Sequence, residues 1–345
     1  MNHLTNWADL PDAVWDRCLD RALAHGADRC WTDTARGRAL GLLFLSPSLR
    51  TRASMELAAA HLGAFPTALT AGAGTWALET RDGAVMDGDR AEHVREAVGV
   101  MSRYVDALGV RSFATLTDHA ADAADAVLAA VVAASTVPVV NLESARWHPC
   151  QALADAAAIR TTLGNPAGVR FVLTWAPHPN PLPRAVPNSA LLMAARLGMD
   201  VTVARPDGFA LDADVMALAH ATAARHGGTV SETTDRDAAF DGAHLVYAKA
   251  WSGADVYDDR PAESARRAAH AGWRVTPGDM ARTDRGAFMH CLPVRRGVVV
   301  DDAVLDGPRT IHLLQAEYRL HAQKAILEWV WGIGDSGFEV RGRQT

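Results

Sequence analysis

The segment from Ser48 to Arg52 (Ser-Leu-Arg-Thr-Arg) combines the residue types of a phosphate-binding turn. An apolar run, Leu42–Leu45, precedes it, and a helix-favouring segment, Arg52–Leu62, follows it. The free N–H groups of a helix start, two hydroxyl groups and two guanidinium groups would therefore meet at one polar turn. The turn is not a Walker A loop, because no G-x-x-x-x-G-K-[ST] pattern is present. The segment predicts a site for a small phosphorylated ligand, and an ordinary strand–turn–helix with solvated arginines is the alternative.

Two further segments place reactive side chains next to the ends of predicted elements. His148-Pro149-Cys150-Gln151 lies where a helix begins, and His290-Cys291-Leu292-Pro293 lies at the end of a strand. A helix N-terminus disfavours the imidazolium form, so His148 is expected to be neutral and able to donate one hydrogen bond to a carbonyl oxygen. The alternative for His148 is a surface or capping histidine. The alternative for Cys291 is a small buried apolar residue.

The elements that would position these residues alternate between apolar runs and helical patterns. The predicted strands are Leu42–Leu45, Ala107–Val110, Val137–Asn141, Val169–Trp175, Val201–Ala204, Leu245–Lys249 and Ala287–Cys291. The predicted helices are Arg52–Leu62, Glu92–Tyr104, Ala121–Ala133, Gln151–Leu163, Asn188–Leu197, Asp212–Arg225 and an amphipathic Leu314–Val330. This β-α-β order predicts an α/β protein with parallel sheets. The last helix is expected to pack back on the first domain, with a frayed end after Gly332.

Composition narrows the class of protein. The chain has 345 residues, enough for two domains, and a formal charge of −6 that argues against nucleic-acid binding as its main role. Its four cysteines form no C-x-x-C pair, so neither zinc nor a disulfide framework is expected, and free thiols suit a reducing cytosol. The N-terminus lacks the pattern of a signal peptide, and no run of about 18 apolar residues is present.

A proline-rich stretch follows the predicted strand Val169–Trp175. It holds five prolines within eleven residues: Pro177, Pro179, Pro181, Pro183 and Pro187. Ligands bind in open α/β sheets at loops after the carboxyl ends of strands, so the stretch is interpreted as a rigid pocket wall. A stiff linker is the alternative.

Taken together, these segments resemble the signatures of the aspartate/ornithine carbamoyltransferase family. The resemblance covers the chain from about Leu42 to Ile326 and implies a carbamoyl phosphate site. The residues it assigns to that site are Ser48, Leu49, Arg50, Thr51, Trp76, Arg111, His148, Pro149, Cys150, Gln151, Cys291, Leu292 and Arg319. Among these, it implies catalytic roles for Thr51, Arg111, His148 and Cys291. Three of them have ordinary explanations taken singly: Trp76 as a core indole, Arg111 as a strand-end cation and Arg319 as a helix-surface cation.

The segment after the predicted strand Leu245–Lys249 points to one branch of the family. It lacks the Asp-x-x-x-Ser-Met-Gly motif of ornithine carbamoyltransferases and reads Tyr-Ala-Lys-Ala-Trp instead, which resembles the N-acylornithine branch. In that branch the α-nitrogen of ornithine carries an acetyl or succinyl group. The resemblance implies that the acylornithine is bound by Glu143, His178, Lys249, Leu292 and Arg295.

The acyl group is assigned from two positions. In the acetyl enzymes the segment that corresponds to Met86–His93 resembles Met-Asp-Gly-Asp-Thr-Glu-Glu-His, with a glutamate where this chain has Ala91. That glutamate would repel a succinyl carboxylate. The stretch after Pro293 also lacks the lysine of the acetyl pattern. Against this, the succinyl pattern has proline in place of Ala91 and leucine in place of Cys150. The resemblance therefore favours N-succinyl-L-ornithine, with N-acetyl-L-ornithine as the alternative.

The implied reaction moves the carbamoyl group of carbamoyl phosphate to the δ-amine of N-succinyl-L-ornithine, giving N-succinyl-L-citrulline and phosphate in arginine biosynthesis. No cofactor or metal is implied. The expected domains are residues 1–148 with the returning helix 314–332, which bind carbamoyl phosphate, and residues 149–313, which bind the acylornithine. The resemblance also implies two doubly wound domains, a knotted second domain in which 250–277 threads the proline-rich loop, and a cytoplasmic homotrimer with shared sites.

Two other classes compete with this interpretation. A dinucleotide-dependent dehydrogenase would need a G-x-G-x-x-G turn after an early strand, and the turn at Ser46–Thr51 contains no glycine. A catalytically silent carbamoyltransferase-like binding module would have lost phosphate-binding or oxyanion-binding residues, and these are present in the sequence.

Overall fold

The structure, a computed structural model, describes residues 1–334 as two compact α/β units. The first unit comprises Met1–Phe113, Ala124–Ser144 and, of the described residues, 319–334. The second comprises Ala114–Ala123 and Ala145–Tyr318. The mixed α/β class and the parallel sheets predicted from the sequence are confirmed. The segment after residue 334, where a frayed end was expected, lies outside the described residues.

Strands and helices alternate along most of the chain. The strands are β1 (Ala39–Phe44), β2 (Phe65–Thr70), β3 (Leu78–Glu79), β4 (Glu92–His93), β5 (Ala107–Arg111), β6 (Val139–Glu143), β7 (Arg170–Trp175), β8 (Asp200–Ala204), β9 (Thr229–Thr233), β10 (Leu245–Lys249) and β11 (Ala287–Met289). The helices are α1 (Asp12–Ala27), α2 (Leu49–His61), α3 (Val94–Met101), α4 (His119–Ala123), α5 (Ala126–Ala134), α6 (Pro149–Leu163), α7 (Ala185–Arg196), α8 (Ala213–His226), α9 (Arg236–Phe240), α10 (Arg260–Ala269), α11 (Pro277–Arg282), α12 (Asp302–Leu305) and α13 (His312–Val330).

The first unit is built on a four-stranded parallel sheet in the order β2-β1-β5-β6. The central strands β1 and β5 are buried apolar runs, which is why both could be recognised in the sequence. Side chains of β5, α3 and α5 form one core cluster that includes Val98, Leu108 and Val131. The strands β3 and β4 form a separate two-residue pairing in which Leu78 lies opposite Glu92.

The second unit is built on a five-stranded parallel sheet in the order β11-β10-β7-β8-β9. The central strands β7 and β10 are almost wholly buried, and they pair in register from Leu245 opposite Phe171 to Lys249 opposite Trp175. The helix α7 is buried along its whole length, so the proline-rich stretch leads directly into the core of this unit. The stretch lies wholly within the second unit, so it is not the stiff linker between domains that was the alternative.

Three sequence predictions about elements were wrong or incomplete. The predicted helix Ala121–Ala133 is two helices, α4 and α5, because Asp125 between them has a left-handed backbone with φ of 51°. The predicted amphipathic last helix is buried on all sides from His321 to Trp331. The strands β2 and β9 were not predicted; both are sheet edges whose residues are largely half-buried or exposed, so they carry no apolar run.

The stretch after β10 contacts the proline-rich loop. The Ser252 backbone N–H donates to the Leu182 carbonyl at 3.0 Å, and Arg184 Nε donates to the Ser252 carbonyl at 3.2 Å. The threading of this loop by residues 250–277 stays a prediction. Over residues 1–334, no helix combines the length and apolarity needed to cross a membrane.

Candidate active site

The predicted phosphate turn is the N-terminus of α2. Ser48 is the N-cap residue, and its side-chain oxygen accepts a hydrogen bond from the Thr51 N–H at 3.2 Å. The first turn of α2 holds no acidic residue. The partial positive charge of this helix end is therefore not neutralised from within its own first turn, which suits an anionic ligand.

This turn lies at a topological switch point of the first sheet. The strand β1 has β2 on one side and β5 on the other, so the connections leave β1 in opposite directions. Ligands of open α/β sheets bind outside the carboxyl ends of the strands at such a point. Arg111 ends β5 and lies opposite Phe44, the last residue of β1, so sheet register brings its side chain to this edge.

Two buried arginines contact the hydroxyl group of Thr51. Arg111 Nη1 is 3.3 Å from Thr51 Oγ1, and Arg319 Nη2 is 3.2 Å from the same oxygen. Arg111 is 6% exposed and Arg319 is 4% exposed. Burying two like charges around one hydroxyl group is unfavourable unless an anion or carboxylate offsets them. Arg319 is therefore not the helix-surface cation that its sequence position alone would suggest.

Glu143 supplies one such carboxylate. It ends β6 beside β5, and its Oε2 accepts a hydrogen bond from Arg111 Nη1 at 2.5 Å. The Arg111 guanidinium also lies over the Phe113 ring, 4.4 Å from the ring centre. Arg111 is thus held from two sides. In this structure the Glu143 carboxylate, predicted from the sequence to bind the acylornithine, is directed at Arg111.

Arg52 does not join this cluster. Its side chain is exposed and its Nε donates to Glu56 Oε1 at 3.1 Å, one helical turn further on. The expectation that Arg52 contributes to the phosphate turn is therefore wrong. Arg50, by contrast, is half-buried at the start of α2.

The loop that carries the predicted acyl-specificity position is organised by β3 and β4. Trp76 is 59% exposed, so it is not a core indole, and its Nε1 donates to Glu92 Oε2 at 2.7 Å. Ala91 is exposed and directly precedes Glu92. The pairing of Leu78 with Glu92 therefore brings the backbone at Ala91 next to the segment that carries Trp76.

The second unit has its own switch point, between β7 and β10. His178 follows β7 and Lys249 ends β10, and Lys249 Nζ donates to the Ala250 carbonyl at 3.0 Å. Arg295 Nε donates to His178 Nε2 at 2.9 Å. The structure thus brings together two of the residues predicted to hold the acylornithine, and sheet topology places the third at the same edge.

The His178 ring is an acceptor towards Arg295. Nδ1 lies 2.8 Å from the Asn180 carbonyl oxygen and 3.0 Å from the Asn180 backbone nitrogen. Because Nε2 accepts from Arg295, the ring proton is assigned to Nδ1, where it meets the nearer carbonyl oxygen. Burial lowers the pKa of His178, and the nearby cations Arg295, Lys249 and Arg267 lower it further, against the Asn180 contact, which raises it. His178 therefore orients Arg295 as a neutral ring.

The signature around His148 is buried at the start of α6. His148 is the N-cap residue, and its backbone N–H donates to Ser189 Oγ at 2.7 Å. Pro149 occupies the first helical turn, where its missing N–H costs nothing. Cys150 is buried, and Gln151 Nε2 donates to Asp155 Oδ1 at 2.7 Å.

The signature around Cys291 is a pinned turn. The Leu292 N–H donates to His290 Nδ1 at 2.9 Å, and the His290 N–H donates to Gln315 Oε1 at 2.9 Å. Leu292 has a φ of 59°, a left-handed conformation that a branched side chain rarely adopts. Strain of this kind persists at functional sites where the surroundings fix it.

Sequence reasoning missed the polar residues behind these signatures. Asp155 and Gln315 are both buried, and Gln315 Nε2 donates to Asp155 Oδ1 at 2.8 Å. One sequence signal was available for Asp155: it is a lone acidic residue in an alanine-rich helix, four positions after Gln151 and hence on the same face. Across residues 1–334, no group of three or more His, Cys, Asp or Glu side chains is placed to hold a metal ion.

Comparison with known proteins gives the family. Residues 2–161 match the model of the "Aspartate/ornithine carbamoyltransferase, carbamoyl-P binding domain", and residues 184–330 match that of the "Aspartate/ornithine carbamoyltransferase, Asp/Orn binding domain". The chain is 41% identical over 330 residues to N-acetylornithine carbamoyltransferase of Xanthomonas campestris, covering 95% of this chain and 97% of that protein. It is 36% identical over 300 residues to N-succinylornithine carbamoyltransferase of Bacteroides thetaiotaomicron, covering 86% and 89%.

Solved structures agree. Acetylornithine transcarbamylase complexed with acetylcitrulline has a TM-score of 0.93 with this chain at 40% identity, covering 96% of this chain and 99% of the other. A glutamate-to-alanine mutant of N-acetyl-L-ornithine transcarbamylase, complexed with carbamyl phosphate and N-succinyl-L-norvaline, also has a TM-score of 0.93 at 40% identity, covering 96% and 100%.

The chain belongs to the aspartate/ornithine carbamoyltransferase family. Within that family it lies in the N-acylornithine branch, and it is a carbamoyltransferase.

Proposed function

We propose that this protein transfers the carbamoyl group of carbamoyl phosphate to the δ-amine of N-succinyl-L-ornithine. The products are N-succinyl-L-citrulline and phosphate, a step of arginine biosynthesis. The amine nitrogen forms a bond to the carbonyl carbon, the carbon–oxygen bond to phosphate breaks, and the proton lost by the amine leaves with the phosphate. No cofactor takes part in this scheme.

The observation that carries the proposal is the meeting of Arg111 and Arg319 on the Thr51 hydroxyl group at the start of α2. Buried guanidinium groups, a hydroxyl group and helix N–H donors suit a dianionic phosphate. The same donors can stabilise the negative charge that develops on the carbonyl oxygen during attack.

We assign the remaining residues on the family resemblance. Ser48, Leu49 and Arg50 bind the phosphate with Trp76. His148 donates to the carbonyl oxygen with Thr51 and Arg111, and Pro149, Cys150 and Gln151 complete that signature. Cys291 and the Leu292 carbonyl face the incoming amine. Glu143, Lys249 and Arg295 bind the acylornithine, with His178 holding Arg295 in place.

Two observations support the succinyl group. Ala91 removes the acidic side chain that the acetyl pattern has at this point of the loop, and its own side chain is small and exposed. A relative in which alanine replaces a glutamate is complexed with a succinyl ligand. A succinyl group adds one negative charge, so removal of a nearby carboxylate should favour it.

N-acetyl-L-ornithine is the second candidate. The chain is 41% identical to a relative named N-acetylornithine carbamoyltransferase and 36% identical to one named N-succinylornithine carbamoyltransferase. Overall sequence identity reflects shared ancestry over the whole chain, whereas the preference for an acetyl or a succinyl substrate depends on a few side chains. We therefore give Ala91 more weight than the difference in identity.

The test is a ureido-product assay with carbamoyl phosphate and three acceptors: ornithine, N-acetylornithine and N-succinylornithine. The wild-type protein is expected to have its highest kcat/KM with N-succinylornithine. Ala91→Glu should shift the preference towards the acetyl substrate by about tenfold, through repulsion of the succinyl carboxylate. Ala91→Gln is the matched control, because it adds the same bulk without the charge.

Each outcome has a distinct meaning. A wild-type preference for N-acetylornithine would overturn the acyl assignment and leave the carbamoyl transfer intact. An equal shift with Ala91→Gln would trace the preference to bulk instead of charge. Absence of ureido product with all three acceptors would overturn the proposed activity.

We also propose a cytoplasmic homotrimer in which Trp76 acts in the site of the adjacent subunit. Large apolar side chains at the surface of the first unit support an interface there: Leu49 is 82% exposed and Val85 is 79% exposed. The exposed free thiol of Cys30 suits a reducing compartment.

A further inference from the structure

We propose that Asp155 is a positioning residue that selects the orientation of the Gln151 amide, and thereby the recognition of the carbamoyl NH₂ group. The inference rests on the proposed function, because it assigns a role in binding carbamoyl phosphate. Asp155 itself touches no substrate in this account. It acts through Gln151, one turn earlier on α6.

Asp155 is a buried carboxylate surrounded by donors within the second unit. It is 1% exposed. Its Oδ1 accepts from Gln151 Nε2 at 2.7 Å and from Gln315 Nε2 at 2.8 Å, and its Oδ2 accepts from Tyr247 Oη at 3.0 Å. A carboxylate can only accept, so three converging donors match its chemistry. An isolated buried charge would be costly, and these donors offset that cost.

The neighbours of the network fix which atoms can donate. Gln315 Oε1 accepts from the His290 N–H, so its amide nitrogen must be the atom that faces Asp155. Tyr247 is fully buried, and burial raises its pKa well above the ordinary value, with Asp155 and Cys291 adding to the effect. The phenol therefore keeps its proton and can donate it to Asp155.

The same logic fixes Gln151. An amide presents a donor on one side and an acceptor on the other, and Asp155 can accept only. The Gln151 nitrogen therefore faces Asp155, and the Gln151 oxygen is directed away from it. An amide oxygen attracts the NH₂ group of a carbamoyl unit. The reversed amide would present donors instead and would leave the carbamoyl NH₂ without an acceptor.

The network also connects two sequence signatures that lie far apart in the chain. Gln151 belongs to the His-Pro-Cys-Gln segment. The other two donors contact the His-Cys-Leu-Pro segment: Gln315 accepts from the His290 N–H, and Tyr247 contacts Cys291. A single buried carboxylate thus sets hydrogen-bond directions in both segments. Networks of this kind fix side-chain directions when all members are satisfied.

The experiment compares two non-reactive ligands that differ in one group. Phosphonoacetamide carries an NH₂ group where acetonylphosphonate carries a methyl group, and both keep the phosphonate and the carbonyl. The wild-type protein should bind phosphonoacetamide more tightly by about three- to tenfold, the gain that one hydrogen bond gives. In Asp155→Leu no acceptor faces Gln151, so neither orientation of its amide is selected and this ratio should fall towards one.

Two further variants make the test independent of whether Asp155→Leu folds. Gln151→Met removes the amide at nearly constant size, and the ratio should fall towards one. Tyr247→Phe removes only the donor to Oδ2, so Gln151 keeps its partner and the ratio should persist.

A double variant tests the reversed orientation of the amide. In Asp155→Asn/Gln315→Glu the carboxylate at position 315 accepts from the NH₂ group of the amide at position 155, which takes the place of Asp155 Oδ1. Gln151 faces that same atom, so its oxygen must turn towards the new NH₂ group and its nitrogen towards the ligand. The ratio should therefore fall to one or below, and a wild-type ratio in this variant would overturn the inference.

The outcomes separate the inference from the proposed function. No binding of phosphonoacetamide to the wild-type protein would contradict the proposed function itself. Binding with a wild-type ratio that Gln151→Met or a folded Asp155→Leu retains would overturn the role of Asp155. A ratio lost in Tyr247→Phe would do the same, because it would show that the network supports the fold generally and does not select one amide orientation.

Discussion

A few side chains at the strand ends account for most of the chemistry proposed here. Thr51 receives both Arg111 and Arg319, although these arginines lie 60 and 268 positions away from it in the chain. Glu143 offsets part of their charge through Arg111. Because the cations are buried and held by neighbours before any ligand arrives, little reorganisation is needed when charge develops on the substrate.

His178 gives a prediction of pH dependence at this scale. The pKa of His178 is lowered, so the ring is neutral at pH 7.5 and takes up a proton only when the pH falls below the ordinary range of histidine. Protonation at Nε2 would remove the acceptor for Arg295 and place a cation beside Arg295, Lys249 and Arg267. The wild-type Kd for N-succinyl-L-norvaline, which lacks the titrating δ-amine of the substrate, should therefore rise about three- to tenfold as the pH falls from 7.5 into the acid range, measured with saturating carbamoyl phosphate.

The variant that isolates this effect is His178→Gln. The glutamine oxygen can accept from Arg295 Nε but does not titrate, so this Kd should change much less over the same pH range. His220→Gln serves as the control, because His220 lies exposed on α8. An unchanged rise in Kd in His178→Gln would mean that another group titrates, and the role of His178 would have to be abandoned.

The sequence predicted side chains that belong to local motifs and missed those that belong to networks. Ser48, Thr51 and Gln151 lie in contiguous segments whose spacing already carries their chemistry. Asp155 and Gln315 acquire their roles from contacts across 160 residues, which no local pattern encodes. Arg52 shows the opposite error, since a residue within the motif is directed to Glu56 on the exposed face.

At the scale of elements, strand burial decided what could be predicted. The central strands of the two sheets are buried on both faces, so their sequences are apolar runs: β1, β5, β7 and β10. The edge strand β9, Thr229–Thr233, is mostly exposed and polar, and the edge strand β2 contains Pro66. Edge strands need less apolar surface, so their sequences resemble loops.

The helix α13 carries Arg319 and is fixed to α1 by a buried carboxylate, which gives a prediction about stability. Glu328 is buried and accepts two hydrogen bonds from Arg21, both at 2.8 Å, and His25 Nε2 lies 3.1 Å away. Burial raises the pKa of Glu328, but the hydrogen bonds from His25 and Arg21 outweigh it and lower the pKa to about 2.

The sign of the pH effect follows from that direction. A carboxylate whose pKa is lower in the folded than in the unfolded protein stabilises the fold above the unfolded pKa and loses this effect as pH falls towards the folded pKa. Glu328→Gln should therefore lower the free energy of unfolding by roughly 2 kcal/mol at pH 7. The difference from the wild-type protein should shrink between about pH 5 and pH 2, as followed by denaturant titration at several pH values.

A matched control exists on α2. Glu56→Gln breaks the exposed Arg52–Glu56 pair, and it should cost at most about 0.5 kcal/mol at any pH. If Glu328→Gln behaved like Glu56→Gln, or if its effect stayed constant down to about pH 2, the ion pair between α1 and α13 would contribute nothing specific to stability.

At the scale of the whole molecule, the two units repeat one arrangement. Each has a parallel sheet with a switch point, and the residues predicted to bind ligand lie at the carboxyl ends of the strands there: Thr51 and Arg111 in the first unit, His178 and Lys249 in the second. This placement follows from the general rule for open α/β sheets. The signatures in the sequence could therefore be placed correctly once the strands were recognised.

Subunit sharing yields the last prediction. Suppose that Trp76 acts in the site of an adjacent subunit while Arg111 acts in the site of its own subunit. The variants Trp76→Ala and Arg111→Lys then each inactivate every site, the first by removing the residue from the neighbour and the second by removing the residue of the subunit itself. Arg111→Lys keeps a cation beside buried Glu143, so it should fold while losing the bidentate guanidinium geometry. When the two inactive variants are unfolded together and refolded, about a quarter of the sites in random mixed oligomers should receive both intact residues. Ureido-product formation should then recover to about that fraction of the wild-type level, whereas each variant refolded alone should stay inactive. Mixed oligomers without any recovery would place Trp76 and Arg111 in the same subunit's site and contradict the shared arrangement.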